Sequence, residues 1–195
     1  MAKGSSAKRA SSKQYRLFFA IDLSPSTKTT LIDFQDSITD IEARPVPGSN
    51  FHITLSFLGN LPEKKLELLL DGIQPIQQVP FEVTLKDLFY WPKPKIMALS
   101  IDDPGQNLIN CKKQIENQVS NLGYFQFDKR QYRPHLTLFR KVEQMPEENF
   151  CIDAKIKVSE VSLMLSETGK SGIYYQSLET WPLQGLSIKQ KLLGE

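Results

Sequence analysis

The stretches NFHITLSFLG (residues 50–59) and RPHLTLFR (residues 133–140) share the pattern His-x-Thr-Leu and contain the only two histidines of the chain, His52 and His135. Each stretch has the β-branched and aromatic density of a strand. In a strand, successive side chains point to opposite faces, so a histidine and the threonine two residues later share a face. Each motif therefore predicts an imidazole and a hydroxyl side by side.

Strict alternation also assigns the neighbours of the two histidines. In the first copy, Thr54 and Ser56 share the face of His52, and Phe57 points to the core with the other apolar residues. In the second copy, Thr137 lies beside its histidine in the same way. The sequence thus predicts two strands that each carry a polar face outside the core and an apolar buried face.

Both motifs close a unit of the same order. Residues 15–23 and 96–101 read as buried strands, and residues 24–41 and 108–122 carry apolar side chains at helical spacing. Each half thus reads strand, helix, strand, and its second strand opens with the His-x-Thr-Leu motif. This similarity predicts a duplicated unit that faces its copy across a cleft.

Composition sets the domain boundaries. Residues 1–13 hold four basic and no acidic residues, so the remaining chain has 20 basic against 22 acidic residues and is close to neutral. We expect a disordered basic tail over residues 1–13, a single bilobal domain over 14–185 and a C-terminal extension over 186–195. Any affinity for nucleic acid must then come from a local patch.

The location of the protein is predicted from what the chain contains. No apolar run approaches the ~20 residues that a membrane span needs, and the basic N-terminus lacks the apolar core of a signal peptide. Cys111 and Cys151 are the only cysteines, too few for a disulfide framework. We expect a cytoplasmic monomer without an obligate protein partner.

Two histidines with two hydroxyls suit paired general acid–base catalysis. A zinc site is disfavoured because no cysteine or carboxylate accompanies either motif. A serine hydrolase is disfavoured because the chain has no Gly-x-Ser-x-Gly elbow. With an ordinary pKa near 6.5, one imidazole can take a proton from water while the other donates one, and threonine hydroxyls can stabilise charge on a phosphate. No metal or other cofactor is expected.

The two stretches resemble the signatures of the 2H phosphoesterases, and more narrowly those of the RNA 2′,3′-cyclic phosphodiesterases, historically called 2′-5′ RNA ligases. The opening strand RLFFAIDL (residues 16–23), the segment WPKP (91–94) and the closing WPL (181–183) are also similar to that family. The resemblance covers residues 15–185. It implies an α+β fold with two pseudo-symmetric lobes of sheet and helix around a central cleft.

The resemblance also implies roles for individual residues. Hydrolysis of a terminal 2′,3′-cyclic phosphate to a 2′-phosphate would use His52 as proton donor and His135 as proton acceptor, with reversible 2′-5′ ligation as a second activity. Arg140 matches the arginine that closes the second motif and would contact phosphate. Strict alternation puts Arg140 on the core face, so a bulge or strand end is needed there. The aromatic and basic residues Tyr132 and Arg133 are expected at the rim of the substrate site.

Two alternatives stay open from the sequence. One is a module that binds RNA ends with little catalysis. The other keeps the chemistry but acts on small nucleotides or on an ADP-ribose cyclic phosphate. Neither the length nor the base preference of an RNA substrate can be read from the residues.

Overall fold

The computed structural model describes residues 13–123, 127–128, 130–170 and 172–185. Within these residues the elements in chain order are β1 (Gln14–Asp22), α1 (Pro25–Asp36), β2 (Arg44–Pro45), a 3-10 turn (Gly48–Asn50), β3 (His52–Pro62), α2 (Glu63–Gly72), β4 (Phe81–Trp91), β5 (Ile96–Asp102), α3 (Asn107–Asn121), β6 (His135–Arg140), β7 (Cys151–Val158), β8 (Glu160–Gly169) and β9 (Gly172–Pro182). The predicted extension 186–195 and, except for Lys13, the predicted basic tail lie outside the described residues.

The strands form two antiparallel sheets. The first has the order β3-β1-β8-β9, and the second has the order β2-β6-β5-β4-β7. In each sheet the motif strand pairs with the strand that opens its half, β3 with β1 and β6 with β5. Side chains from both sheets and from the helices pack into a large apolar core, and Phe18, Ala20 and Met164 form a second, smaller cluster. The predicted α+β fold with two similar sheet-and-helix lobes is confirmed.

Helix α1 begins as the sequence predicts but ends earlier. The Ser24 hydroxyl accepts a hydrogen bond of 3.1 Å from the backbone N–H of Thr27 and so caps the helix. The helix ends at Asp36, and the expectation that it continues to residue 41 is wrong. Asp40 has a φ of 57°, in the left-handed region that ends helices. Ile38 is still buried, so its apolar spacing reflects packing of the turn rather than helix.

A β-bulge interrupts both motif strands at the same place. In β3, Thr54 pairs with Ala20 and Ser56 with Phe19, so Leu55 is the extra residue. In β6 the residues two and four after His135 pair with consecutive residues of β5, so Leu138 is extra. Each bulge therefore falls three residues after the motif histidine and reverses the alternation beyond it. The duplication extends to this irregularity.

The bulges correct two assignments made from alternation. Ser56 is buried at 4% exposure, whereas Phe57 is 62% exposed and lies outside the core. In the second strand, Phe139 is buried and Arg140 is exposed in the same way. The prediction of Ser56 on the histidine face and Phe57 in the core is therefore wrong. Among the described residues, no helix has both the length and the apolar character that a membrane crossing requires.

Candidate active site

Residue His52 is fixed through both of its ring nitrogens. Its Nδ1 lies 2.7 Å from the carbonyl oxygen of Asn50, and its Nε2 lies 2.9 Å from Oγ1 of Thr54. Because a carbonyl only accepts hydrogen bonds, Nδ1 carries a proton. In the neutral ring, Nε2 is then the acceptor and the Thr54 hydroxyl donates to it. The predicted pairing of imidazole and hydroxyl on one strand face is present in this copy.

His135 has the same anchor but a free second nitrogen. Its Nδ1–H donates to the carbonyl oxygen of Arg133 at 2.8 Å, again two residues before the histidine. Its Nε2 makes no hydrogen bond to any other residue that the structure describes, Thr137 included. The ring of Trp91 meets the imidazole edge-on, with the ring centres 5.0 Å apart. The neutral ring therefore presents an unoccupied lone pair on Nε2.

Aromatic rings pack against His52 and partly bury it. Phe18 and Tyr175 each lie 5.0 Å from the imidazole, measured between ring centres. The buried side chain of Asn50 holds this wall in place: its Nδ2 donates to the carbonyl of Ile173 at 2.8 Å, and its Oδ1 accepts from the N–H of Tyr175 at 3.2 Å. Asn50 thus positions both the imidazole and the ring that packs against it.

Burial and positive charge lower the pKa of both histidines. The pKa of His52 falls from 6.5 to about 4, mainly because the ring is buried, with smaller decreases from the charges of Arg140 and His135. Asp22, which lies opposite His52 in the β1–β3 pair, acts in the other direction. The pKa of His135 is lowered by burial and by Arg140. Both imidazoles are therefore neutral near pH 7.

The charge of Arg140 therefore acts on both histidines. The bulge at Leu138 shifts Arg140 off the core face, so the irregularity that the sequence required is present. Among the described residues Arg140 has no salt bridge and no hydrogen-bonded side-chain partner. An unpaired guanidinium close to two neutral imidazoles is suited to an anionic ligand such as phosphate.

Tyr132 and Arg133, which were predicted at the substrate rim, make hydrogen bonds that support the two motifs. Tyr132 is half-buried, and its hydroxyl donates to the backbone carbonyl of Thr54 at 2.8 Å. This bond joins the approach to the second motif directly to the first motif strand. Burial raises the pKa of Tyr132, so it is a neutral donor at all working pH values. Arg133 is exposed, and its carbonyl anchors His135. Their contact with substrate stays a prediction.

Helices of each half contact the motif strand of the other half. From α1, the buried Gln35 Nε2 donates to the carbonyls of Leu138 at 2.6 Å and Val46 at 3.2 Å. From β3, the Ser56 hydroxyl donates to Glu116 Oε1 of α3 at 2.7 Å. The accepting carbonyl of Leu138 lies at the bulge of β6, and the donating hydroxyl of Ser56 lies next to the bulge of β3. These contacts hold the bulges that orient the motif residues.

Sequence reasoning missed the aromatic residues of the site. Phe18 and Trp91 lie in segments that are similar to the family, and Tyr175 lies in a predicted strand, but nothing in their local pattern indicates that their rings pack against a histidine. These aromatic residues lie far from the histidines along the chain, and only the order of the strands in the sheets brings them together. Among the described residues, no three His, Cys, Asp or Glu side chains gather as a metal site would require.

Known proteins share both this sequence and this fold. The family model described as LigT like Phosphoesterase matches residues 21–97. The RNA 2′,3′-cyclic phosphodiesterase of Escherichia coli K12 is 31% identical over 176 residues, which span 88% of this chain and 98% of that protein. The protein of the same name from Methanocaldococcus jannaschii is 28% identical over 179 residues, covering 85% of this chain and 99% of the relative.

Solved structures agree with the sequence relatives. The crystal structure of E. coli LigT complexed with 3′-AMP superposes with a TM-score of 0.79 at 29% identity, over 88% of this chain and 99% of that one. The E. coli LigT structure complexed with phosphate gives a TM-score of 0.75 at 28% identity. Identity above 30% to a relative that is matched over nearly its whole length establishes the family. The chain therefore belongs to the LigT-like phosphoesterases of the 2H superfamily.

Proposed function

We propose that this protein hydrolyses the 2′,3′-cyclic phosphate at the end of an RNA strand to a 2′-phosphate. The observation that carries the proposal is the matched anchoring of two histidines. Each Nδ1–H donates to the carbonyl two residues before it, which leaves each Nε2 for proton transfer. The names of the E. coli and M. jannaschii relatives give the substrate class.

The reaction needs one proton acceptor and one proton donor. His135 has a free Nε2 lone pair and a lowered pKa, so it takes the proton from a water molecule whose oxygen attacks phosphorus. The bond from phosphorus to the 3′-oxygen breaks, and His52 Nε2 donates a proton to that oxygen. The 2′-ester bond is kept, and the two imidazoles exchange protons with solvent to return to the starting state.

Because the pKa of His52 is low, its role as proton donor requires that substrate binding raises this pKa. Arg140 lowers the pKa of both histidines, and the negative charge of a bound cyclic phosphate offsets this effect. Binding therefore raises the pKa of His52, and the imidazole takes up from solvent the proton that it later donates to the leaving oxygen. Thr54, Thr137 and Arg140 donate hydrogen bonds to the nonbridging oxygens and stabilise the negative charge that develops there.

Hydrolysis of cytidine 2′,3′-cyclic phosphate tests the function. We expect the 2′-monophosphate by phosphorus NMR, one ¹⁸O atom in the product when the reaction is run in H₂¹⁸O, and full activity in EDTA. His52→Ala and His135→Ala should each lower kcat by at least about hundredfold with unchanged circular dichroism. Exposed Thr39 supplies Thr39→Ala as the control for Thr54→Ala and Thr137→Ala. Full activity in either histidine variant, or a 3′-phosphate product, would contradict the proposal.

We also propose that the protein acts on RNA ends as a cytoplasmic monomer. All proposed catalytic groups come from one chain, which supports a monomeric enzyme, and the thiols of Cys111 and Cys151 are both free, which suits a reducing compartment. Light scattering should give the mass of one chain, and specific activity should not depend on enzyme concentration.

A further inference from the structure

One arginine outside the motifs lies directly against the candidate site. Arg44 forms the two-residue strand β2 with Pro45, and it is the cross-strand partner of Arg140 in the β2–β6 pair. Directly opposed residues of antiparallel strands point to the same face, with α-carbons about 5 Å apart. Both side chains are exposed. Two like charges thus lie side by side next to the proposed phosphate site.

No carboxylate compensates for this repulsion. Within the described part of the chain, neither Arg44 nor Arg140 makes a salt bridge, and neither guanidinium donates a hydrogen bond to another residue. Opposed like charges on neighbouring strands are destabilising without a counter-ion. An arrangement of this kind is stabilised when an anion binds, and guanidinium groups bind phosphate oxygens in a bidentate manner.

The Arg44 guanidinium lies close to Gly172, the first residue of β9. A Cβ placed on Gly172 would lie 2.9 Å from Nη2 of Arg44, so the side chain passes close over this glycine. Gly172 has a φ of 125°, which a glycine adopts without strain. Three residues later on β9, Tyr175 packs against His52. Arg44 therefore lies between the second-motif strand and the β9 segment that supports the first motif.

We propose that Arg44 binds the phosphate on the 5′ side of the nucleoside that carries the cyclic phosphate. This inference rests on the proposed function. A 2′,3′-cyclic nucleotide at an RNA end has one further anion on the same nucleoside, its 5′-phosphate, and Arg44 is the cation directly opposite Arg140 in the β2–β6 pair. The contact makes the enzyme prefer RNA ends and 5′-phosphorylated nucleotides to nucleosides that carry only the cyclic phosphate.

Three substrates with the same reacting group test the proposal. They are cytidine 2′,3′-cyclic phosphate, its 5′-phosphorylated form, and the dinucleotide cytidylyl-cytidine ending in the cyclic phosphate. In Arg44→Ala the kcat/KM ratio of the 5′-phosphorylated form to the unphosphorylated one should fall about tenfold, with a similar fall for the dinucleotide. Arg44→Lys should keep part of the preference. The dependence of kcat/KM on salt concentration for the dinucleotide should weaken by the amount that the loss of about one phosphate contact predicts.

Arg16 provides the matched control because it is an exposed arginine that lies away from the site. It precedes Asp22, the cross-strand partner of His52, by six residues along β1. Arg16→Ala should keep all three wild-type ratios. An unchanged ratio in Arg44→Ala would overturn the inference while the proposed function stands. A loss that appears with the dinucleotide but not with the 5′-phosphorylated form would also overturn it, because the upstream nucleoside would then be the group recognised. Absence of hydrolysis of all three substrates by the wild type would overturn the proposed function and this inference with it.

Discussion

The stability of the fold should depend on pH through His52, and removing this imidazole should remove most of that dependence. The pKa of His52 is about 4 in the folded protein because the ring is buried, against 6.5 in an unfolded chain. Between these values the unfolded state binds a proton that the folded state does not. The free energy of unfolding therefore falls as the pH falls from 6.5 towards 4.

The two pKa values set the size of the effect. Proton linkage with a folded pKa of about 4 predicts that unfolding becomes easier by about 2 kcal/mol between pH 7 and pH 5. His135 adds to this in the same direction, since its pKa is lowered as well. His52→Asn keeps a polar side chain at the site but does not titrate, so its stability should change between these two pH values only by the part that His135 contributes.

Urea unfolding at pH 7 and pH 5, followed by circular dichroism, measures the difference for the wild type and for His52→Asn. His135→Asn is the matched control and should keep the larger part of the pH dependence. Parallel pH dependence in the wild type and His52→Asn would refute the reasoning. Imidazole NMR titration gives the same pKa directly, and saturating inorganic phosphate should raise it, because the anion offsets the charge of Arg140.

Four further substitutions test the architecture around the site. Phe57→Ala should cost less than about 0.5 kcal/mol because the ring is 62% exposed, whereas Leu55→Ala on the same strand should cost about 3 kcal/mol, both by urea unfolding. Tyr132→Phe should cost about 1 kcal/mol and lower kcat several-fold, because the bond to the Thr54 carbonyl is lost. Gln35→Leu should cost about 2 kcal/mol and lower kcat more than it raises KM, because two buried carbonyls lose a donor.

The sequence predicted the motif strands and the fold class but not the consequence of the bulges. Period-two alternation predicts burial correctly as far as Leu55 and Leu138, and it fails at the next residue in each copy. A bulge has no signature in β3, since Leu55 and Ser56 are compatible with a regular strand. In β6 the only sign was Arg140, a cation that regular alternation placed in the core. Phe57 occupies the same place after His52 as Arg140 does after His135, so a comparison of the two copies would have predicted that Phe57 also lies outside the core.

The aromatic wall and Arg44 could not be predicted for a different reason. Phe18, Tyr175 and Trp91 reach the histidines only through the order of strands in the two sheets, which local patterns do not encode. Arg44 follows the end of the first helix in a stretch that reads as a loop. Its function emerges only from a two-residue strand pairing, which is too short for propensity to detect.

The duplication explains how His52 and His135, the proposed acid and base, keep a fixed geometry although they lie on different strands. Each motif strand is held by the opposite half: Gln35 of α1 holds the Leu138 bulge, and Ser56 bonds to Glu116 of α3. Tyr132 adds a third link between the halves. A hinge motion that separated the histidines would break these partly or fully buried bonds together, each worth about 1 kcal/mol or more. We therefore expect a preorganised cleft, in which the proposed protonation of His52 follows from the charge of the substrate and needs no closure of the two halves.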